Sequence, residues 1–579
     1  MSAITTDQLL LIRALNSTKQ SYFPSYMGLR VLGKNLSIQD PAYIHRMLER
    51  RIASCDKWSY KPFQLYKGSS NHNGKLVHEY RDCVAPNPST ALAGAHILAI
   101  LASSPSFAVS TQVYSYLWPK SASSGSSYRF FAEGYKRRNN EIFRALQGND
   151  RIAVVADIKR FYPSVKIENI TKSLKCLFQN LPNEFSDGFT NFFVQLLNAS
   201  NGGIPIGPAP GHLLGHVALS QVDSDLTKKY GSNYFRYVDD IVIVCPSADR
   251  AVVLSDIENC VKRSNFELNL SKTEYLTKEE WHASNISADV PFEDDFRSFT
   301  RELTVYLALY EDRTQSLSDR LKGAGFSIPI ERLKTLSNYS RFRYFLRHQK
   351  SIAQVFQTLR VLRLDEKYFV EKATALKNLY EQSLSELCSE SLTSPHLRRW
   401  KIQRARRLVN VLFYLRTFSE WKGPQDAFQA FPELVEQASL ANALQGGIVN
   451  PVLPFFGQAP AAFAELWKEH GGTQAVLNLE TQLDDAKLNS LVLLRLHGTV
   501  AQSALPDIPK TPTGQLLLST NDESPNSRTA SDLSFEDEFQ SLRIDTTGEE
   551  LCTLARTRHS ILEGAPLEAL SLIGSEYMS

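Results

Sequence analysis

The stretch Tyr234-Phe235-Arg236-Tyr237-Val238-Asp239-Asp240-Ile241-Val242-Ile243-Val244 constrains the fold more than any other part of the chain. Its Val, Ile, Tyr and Phe favour a pleated strand, and strand interiors disfavour Asp. Two adjacent acids with apolar residues on both sides fit the tip of a β-hairpin. One arm runs from about Tyr234 to Val238 and the other from Ile241 to Val244, so the tip reaches solvent while both arms stay buried. Neighbouring carboxylates repel, so the pair calls for a cation and a third ligand, and such oxygen ligands suit the hard ion Mg²⁺. A turn with two solvated Asp residues is the alternative that the pair alone leaves open.

Upstream, the small and branched residues Ile152-Ala153-Val154-Val155-Ala156 predict a buried strand ending on Asp157, where an acid is unusual. A turn residue or a cap for the helix after Ser164 is the other reading of Asp157. Two helices are expected over 167–198. Gly202-Gly203-Ile204-Pro205-Ile206-Gly207-Pro208-Ala209-Pro210-Gly211 reads as a rigid loop in which glycine permits close backbone approach and proline fixes the shape. It opens a helix from about His212 to Lys229. His212 and His216 share a face of that helix, but no Glu stands between them as a zinc protease needs, so packing is the expected role. After the acidic hairpin come a helix near 247–263 and a strand, Phe266 to Leu276, broken by a turn at Lys272.

The flanks are less informative. Residues 1–50 carry apolar positions at helical spacing. A hairpin is expected from Lys61–Tyr66 with Leu76–Val84, then a helix from Ser89, a plausible cap, through Leu101. Ser121-Ala122-Ser123-Ser124-Gly125-Ser126-Ser127 has the composition of a flexible loop. From about 296 to 500 the pattern is mostly helical, with helices over Phe342–Leu362, Tyr368–Leu387, His396–Phe418 and Ala459–Lys468, and no repeat period. Arg341, Arg343, Arg347 and Lys350 interleave with Phe342, Tyr344 and Phe345, while Arg398, Arg399, Lys401, Arg404, Arg406 and Arg407 surround Trp400. Such mixtures suit a backbone-and-stacking surface for nucleic acid, or else a solvated helix face paired with acids. Residues 501–550 read as a disordered linker and 549–572 as a short amphipathic helix.

Composition sets outer limits. A chain of 579 residues has room for three or four domains. The net charge of +3 does not announce a nucleic-acid binder, so local patches must carry that case. The seven cysteines lie at 55, 83, 176, 245, 260, 388 and 552, without zinc spacing, which fits free thiols in a reducing, cytoplasmic setting. No signal peptide and no membrane-spanning run are expected.

Three carboxylates therefore line up: one ending a buried strand and two on a hairpin tip, with a Gly/Pro loop and a helix between. Nucleotide addition to a 3′ hydroxyl uses such a set to hold two divalent ions roughly 3.5–4 Å apart, one at the attacking hydroxyl and one at the triphosphate. Positioning and charge do most of the remaining work.

The order Asp157-Ile158-x-x-Phe161-Tyr162-Pro163-Ser164, Gly203-Ile204-Pro205-Ile206-Gly207-Pro208, Tyr237-Val238-Asp239-Asp240 and Leu268-Asn269-x-Ser271-Lys272-Thr273 resembles motifs A, B, C and D of the reverse transcriptases. The resemblance covers roughly residues 60–290. It implies an α+β right-hand polymerase fold, with a palm built on an antiparallel sheet, fingers and a thumb, followed by a mostly α-helical C-terminal domain. The implied divisions are an N-terminal helical segment, 1–60; fingers and palm, 61–290; thumb and helical domain, 291–500; a linker, 501–548; and a tail helix, 549–579. It also implies RNA-directed DNA polymerase activity on dNTPs, with two Mg²⁺ ions that Mn²⁺ can replace.

Carried over residue by residue, Asp157, Asp239 and Asp240 match the metal ligands, with the backbone carbonyl of Ile158 completing one shell. Tyr162 matches the residue that stacks under the incoming sugar and rejects a 2′ hydroxyl, and Lys272 matches the motif D lysine that protonates pyrophosphate. Phe161, Pro205, Ile206 and Gly207 fall in the substrate-binding motifs. Arg81, in a segment similar to the first fingers motif, and Lys136, Arg137 and Arg138 are candidates for the triphosphate. Ile206 stands where retroviral, retron and group II intron enzymes usually carry Gln. This loop form, with a long helical region and no nuclease signature, looks like the prokaryotic abortive-infection and defence-associated reverse transcriptases, including their unknown groups. In that group synthesis is templated by a partner noncoding RNA or is untemplated, homo-oligomers occur, and some members prime from a protein hydroxyl, for which Tyr577 is the candidate here. A retroelement enzyme and a non-catalytic RNA-binding scaffold are the alternatives.

Overall fold

The computed structural model describes residues 6–18, 22–35, 42–72, 75–148, 150–178, 181, 183–200, 202–283, 291–330, 360–389, 395–417, 425–455, 458–469, 472–478, 483–500 and 546–556. These are mostly helical, with two small sheets. Three helices, α1 (Thr6–Thr18), α2 (Phe23–Asn35) and α3 (Tyr43–Ala53), open the chain. A hairpin of β1 (Tyr60–His72) and β2 (Lys75–Pro86) follows, longer than expected and bulged between Tyr66 and Gly68. Helix α4 (Pro88–Leu101) starts one residue before Ser89, and its cap is Asn87, whose side chain accepts from the Thr90 N–H at 2.8 Å. Proline at the first helical position suits that start, since its missing N–H leaves no donor unsatisfied.

The serine-rich loop is anchored to α1. Arg13 donates to the carbonyls of Ser124 and Ala122 at 2.9 and 2.5 Å, and Asn16 donates to that of Gly125 at 2.8 Å. Loop composition was legible here, but the two side chains on α1 that fix the loop come from more than 100 residues away.

Helix α5 (Phe131–Ala145) leads into the central sheet, made of β3 (Arg151–Asp157), β4 (Tyr234–Tyr237), β5 (Asp240–Pro246) and β6 (Glu274–Leu276) in the order β4-β5-β3-β6. Every pairing is antiparallel. Between β3 and β4 lie α6 (Phe161–Ser164), α7 (Ile167–Phe178), α8 (Asn183–Asn198) and α9 (Ala209–Tyr230); α10 (Arg250–Arg263) follows β5.

Side chains alternate across a pleated strand, and both faces of this sheet are covered, which is why β3 and β5 read as continuous apolar runs. Ile152, Val154, Ala156, Ile241 and Ile243 join the main core with Leu226 of α9 and Ile257 of α10. Ala153, Val242 and Val244 pack on the opposite side against Ile142 of α5, Leu146 just after it, and Trp281. Trp281 also donates its indole N–H to the Asn139 carbonyl at 3.1 Å.

Helices α12 (Pro291–Leu309) and α13 (Thr314–Gly323) begin the second half. Helices over Glu366–Ser389, Pro395–Leu415 and Gln458–Glu469 correspond to three of the expected ones, whereas Phe342 to 359 lies outside the described residues. The second half reaches back to the first hairpin. The Phe455 ring meets those of Tyr66 and His78 edge-on at 4.8 and 5.5 Å, and the Tyr80 hydroxyl donates to the Pro454 carbonyl at 3.5 Å. The tail helix is described over Gly548–Arg556, where Thr547 and Glu550 form a reciprocal cap. It docks on this chain, with Leu551 fully buried and Glu550 paired to Lys34 of α2 at 2.5 Å. Among the described residues no helix is long and apolar enough to cross a membrane.

One glycine marks a tight junction. A Cβ on Gly134 of α5 would lie 2.0 Å from the Tyr114 carbonyl oxygen, a backbone atom. Gly134→Ala is expected to destabilise the protein by about 1–3 kcal/mol in denaturant unfolding. The control Gly68→Ala, where a Cβ meets nothing within 4 Å, should change stability by less than about 0.5 kcal/mol.

Candidate active site

Strand register brings the acids together. Asp157, the last residue of β3, is the cross-strand partner of Asp240, the first residue of β5. Tyr237 pairs with Asp240, so the hairpin tip is Val238-Asp239 and Asp240 belongs to the strand rather than to the turn. One carboxylate oxygen from each of Asp157, Asp239 and Asp240 lies within 4.8 Å of the others. The solvated-turn reading of the pair and the capping reading of Asp157 are both replaced by this cluster.

Two cations face the cluster. Lys272 Nζ lies 3.1 Å from Asp157 and Arg138 Nη1 lies 3.9 Å from Asp240. Burial, then Asp240, then Asp157 push the Asp239 carboxyl up to about 7, while Lys272 opposes them. Three crowded carboxylates with all-oxygen donor atoms fit a hard divalent ion, which would relieve that repulsion. Asn269 orders the third acid: its N–H donates to the Asp157 carbonyl at 2.7 Å and its side-chain amide to the carboxylate at 3.2 Å.

A buried network holds the hairpin tip. Val238 has φ +56°, a conformation that a β-branched residue avoids. Its carbonyl accepts from Arg236 Nη1 at 2.7 Å and its N–H donates to Ser115 Oγ at 2.9 Å. Arg236 is among the most deeply buried large side chains, and its guanidinium donates to both Asp223 oxygens of α9 at 2.6 and 2.7 Å. The Tyr234 hydroxyl donates to the same carboxylate at 2.6 Å. His216 lies 3.3 Å from Arg236, and burial followed by that cation holds its imidazole down at about 3, so it is neutral. Sequence reasoning missed Arg236, Asp223, Ser115 and Asn269. An arginine inside the apolar run was itself a signal, since a buried guanidinium demands an acid.

The Gly/Pro loop forms the adjoining wall. The Val84 N–H donates to the Ile206 carbonyl at 2.8 Å, and Cys83 bridges Ile206, so the loop runs along β2 two residues from Arg81. Gly203, at φ +71°, sits where a Cβ would be 2.2 Å from the Tyr162 carbonyl oxygen, which accepts the Ile204 N–H. Pro205 and Gly207 flank Ile206, and Gly207 approaches the Val84 carbonyl as closely. Ile158 is buried and bridges Leu268, Phe161 is buried, and Tyr162 is half-buried. The Tyr162 hydroxyl lies 3.3 Å from His212 Nδ1, and burial pushes that imidazole down to about 4. His212 thus packs against other side chains, as expected.

The basic candidates separate. Arg138 is buried beside Tyr135 and Tyr237, with its guanidinium 4.9 and 5.3 Å from their ring centres. Lys136 and Arg137 lie on the exposed face of α5, where Arg137 pairs with Glu141 at 2.8 Å. The second cluster is engaged within its own region. Arg398 pairs with Glu433 at 2.7 Å, Lys401 is buried, Arg404 lies over Trp400 at 5.3 Å, and Arg407 is half-buried. Arg341, Arg343, Arg347, the side chain of Arg399 and Tyr577 lie outside the described residues.

Two outcomes follow from the charge balance. The folded Asp239 carboxyl binds its proton more tightly than the ordinary 3.8, so the unfolded chain releases that proton first and stability falls as pH rises from about 4 to about 7. In chelator, Asp239→Asn should therefore raise Tm at pH 8 by roughly 1–3 °C and leave it unchanged near pH 4. Arg236→Met leaves Asp223 buried without its cation and should cost about 3–5 kcal/mol in denaturant unfolding.

Residues 109–345 match the protein family described as reverse transcriptase (RNA-dependent DNA polymerase). That segment holds all three acids and Lys272, and it identifies the chain as an RNA-directed DNA polymerase. No curated protein matches the sequence. Among solved structures, a telomerase from Candida albicans in complex with a TWJ fragment of telomeric RNA aligns at 10% identity with a TM-score of 0.26, covering 69% of this chain and 68% of that one.

Proposed function

We propose that this chain is a reverse transcriptase-type DNA polymerase that adds dNTPs to a 3′ hydroxyl at Asp157, Asp239 and Asp240, and that it serves antiphage defence. The observation that carries the catalytic reading is the convergence of three carboxylates, two at the ends of paired strands and one on the hairpin tip. Asp157, Asp239 and Asp240 would hold two Mg²⁺ ions, together with the Ile158 carbonyl. When bound, such ions lower the pKa of the attacking hydroxyl and stabilise charge on the leaving pyrophosphate.

The chain's own groups do the rest. Tyr162 forms the floor under the sugar and selects against ribonucleotides. Lys272, already against Asp157, is the proton donor for pyrophosphate. Arg81 on β2 and Arg138 beside Asp240 are read as cations for the triphosphate. The first hairpin is read as part of the fingers, the four-stranded sheet as the palm and α12 onward as thumb and helical domain. The defence role and a noncoding RNA template, or untemplated synthesis, are supported by the Gly-Ile-Pro-Ile-Gly-Pro loop and the long helical second half.

The test is to purify the protein from its host and sequence the nucleic acid that accompanies it, for the unaltered chain and Asp239→Asn. Asp239→Asn is expected to reduce DNA synthesis by roughly a hundredfold or more. A discrete RNA with complementary DNA only in the active form establishes RNA templating, whereas DNA without matching RNA establishes untemplated synthesis. Survival of phage protection in Asp239→Asn would overturn the catalytic reading. Chelation should abolish synthesis, and Mg²⁺ at a hundred times its Kd should add about 2.7 kcal/mol of stability that Asp239→Asn loses.

A further inference from the structure

A ring that rejects a 2′ hydroxyl has to resist displacement, because yielding by little more than an atomic radius admits the extra oxygen. Tyr162 lies on the single-turn helix α6, where its neighbour Phe161 meets it edge-on at 5.2 Å. That contact comes from the same short element and gives the ring no outside anchor. Its hydroxyl end is tied to two other elements. It lies in hydrogen-bond contact with His212 Nδ1 of α9 at 3.3 Å, and it also hydrogen-bonds the Tyr116 side chain. Tyr116 lies flat on His212, with ring centres 3.7 Å apart and planes 10° from parallel. Gly215, one turn along α9, lies beside the tip of Tyr162: a Cβ there would be in ordinary contact, 3.7 Å from the hydroxyl.

The backbone of Tyr116 is a second, independent observation. Its φ is +45°, a conformation that side-chain-bearing residues rarely adopt and that persists only where the surroundings over-determine it. Here they do. The Tyr114 N–H donates to the Arg236 carbonyl at 3.0 Å and Ser115 Oγ accepts the Val238 N–H at 2.9 Å. The loop is thus pinned to the hairpin that carries Asp239 immediately before it turns to lay the Tyr116 ring on His212. Plain core packing needs neither that turn nor a pair of polar partners for one hydroxyl.

We propose that His212 and Tyr116 are positioning residues for sugar selection: they clamp the Tyr162 hydroxyl so that its ring does not yield to the 2′ hydroxyl of a ribonucleotide. This rests on the reading of Tyr162 as the floor of the sugar site. Selection then belongs to a three-residue unit whose parts come from α6, α9 and the loop before α5.

The test measures the sugar content of the product and needs no knowledge of the template. Synthesis runs with equal pools of deoxyribonucleotides and ribonucleotides, and the product is treated with alkali, which cuts only after a ribonucleotide. His212→Phe keeps a flat ring on Tyr116 and removes the nitrogen; Tyr116→Phe removes only a hydroxyl and is the milder change for folding. Each is expected to raise the alkali-labile fraction roughly five- to tenfold. His212→Asn, which restores a polar atom near the Nδ1 position, should recover most of the selectivity. In a Tyr162→Phe background, where the clamped hydroxyl is already gone, His212→Phe should add nothing. An unchanged fraction in both His212→Phe and Tyr116→Phe, alongside a rise in Tyr162→Val, overturns the clamp while leaving the floor reading intact. No rise in Tyr162→Val overturns the floor reading, and the clamp falls with it.

Discussion

Three carboxylates within 4.8 Å of one another repel, and the fold has to hold them there against that force. It does so from behind the acids, by backbone. Antiparallel register fixes Asp157 opposite Asp240, so separating the two would break the ladder between β3 and β5. Asp239 has no such partner and sits on the two-residue tip, where Val238 takes a disfavoured conformation. Arg236 and Ser115 hold that residue by its carbonyl and its N–H, and Asp223 and Tyr234 hold Arg236. A buried ion pair is weak evidence of net stability, because desolvation offsets much of the attraction. Its use here is geometric: a planar guanidinium with several donors fixes a carboxylate and a carbonyl at set distances.

Much of this was legible in the residues. The strand ending on Asp157 and the hairpin around Asp239-Asp240 follow from short apolar runs interrupted by acids, and the motif order supplied the grouping. The helix over Ala209–Tyr230 was expected to begin three residues later, since nothing in Ala-Pro-Gly marks a helix start except proline's tolerance of the first turn. The Asn87 cap was misassigned to Ser89 because both are good caps and only the geometry of Pro88 decides between them. The supporting shell was not legible. Asp223 lies 13 residues from Arg236 and Ser115 lies 123 residues from Val238, and no local pattern links them. Of three consecutive basic residues, Arg138 reaches Asp240, while helix periodicity turns Lys136 and Arg137 to the exposed face.

The long helical second half also bears on the site through the first hairpin. A two-stranded hairpin is marginal by itself and needs cover on one face. Phe455 supplies it, packing against Tyr66 and His78, and the Pro454 carbonyl takes the Tyr80 hydroxyl. Tyr80 precedes Arg81, and two residues later Cys83 bridges Ile206 of the Gly/Pro loop. That loop folds back on Tyr162 through the Ile204 N–H and the close approach of Gly203. A continuous line of contacts therefore runs from the helical half, through the hairpin and the loop, to Tyr162. Displacing the helices around Phe455 would act on the hairpin and the loop before it touched the carboxylates. The carboxylates depend on the sheet and the Arg236 network. The walls around them depend on a half of the chain that contributes no residue to the acidic cluster.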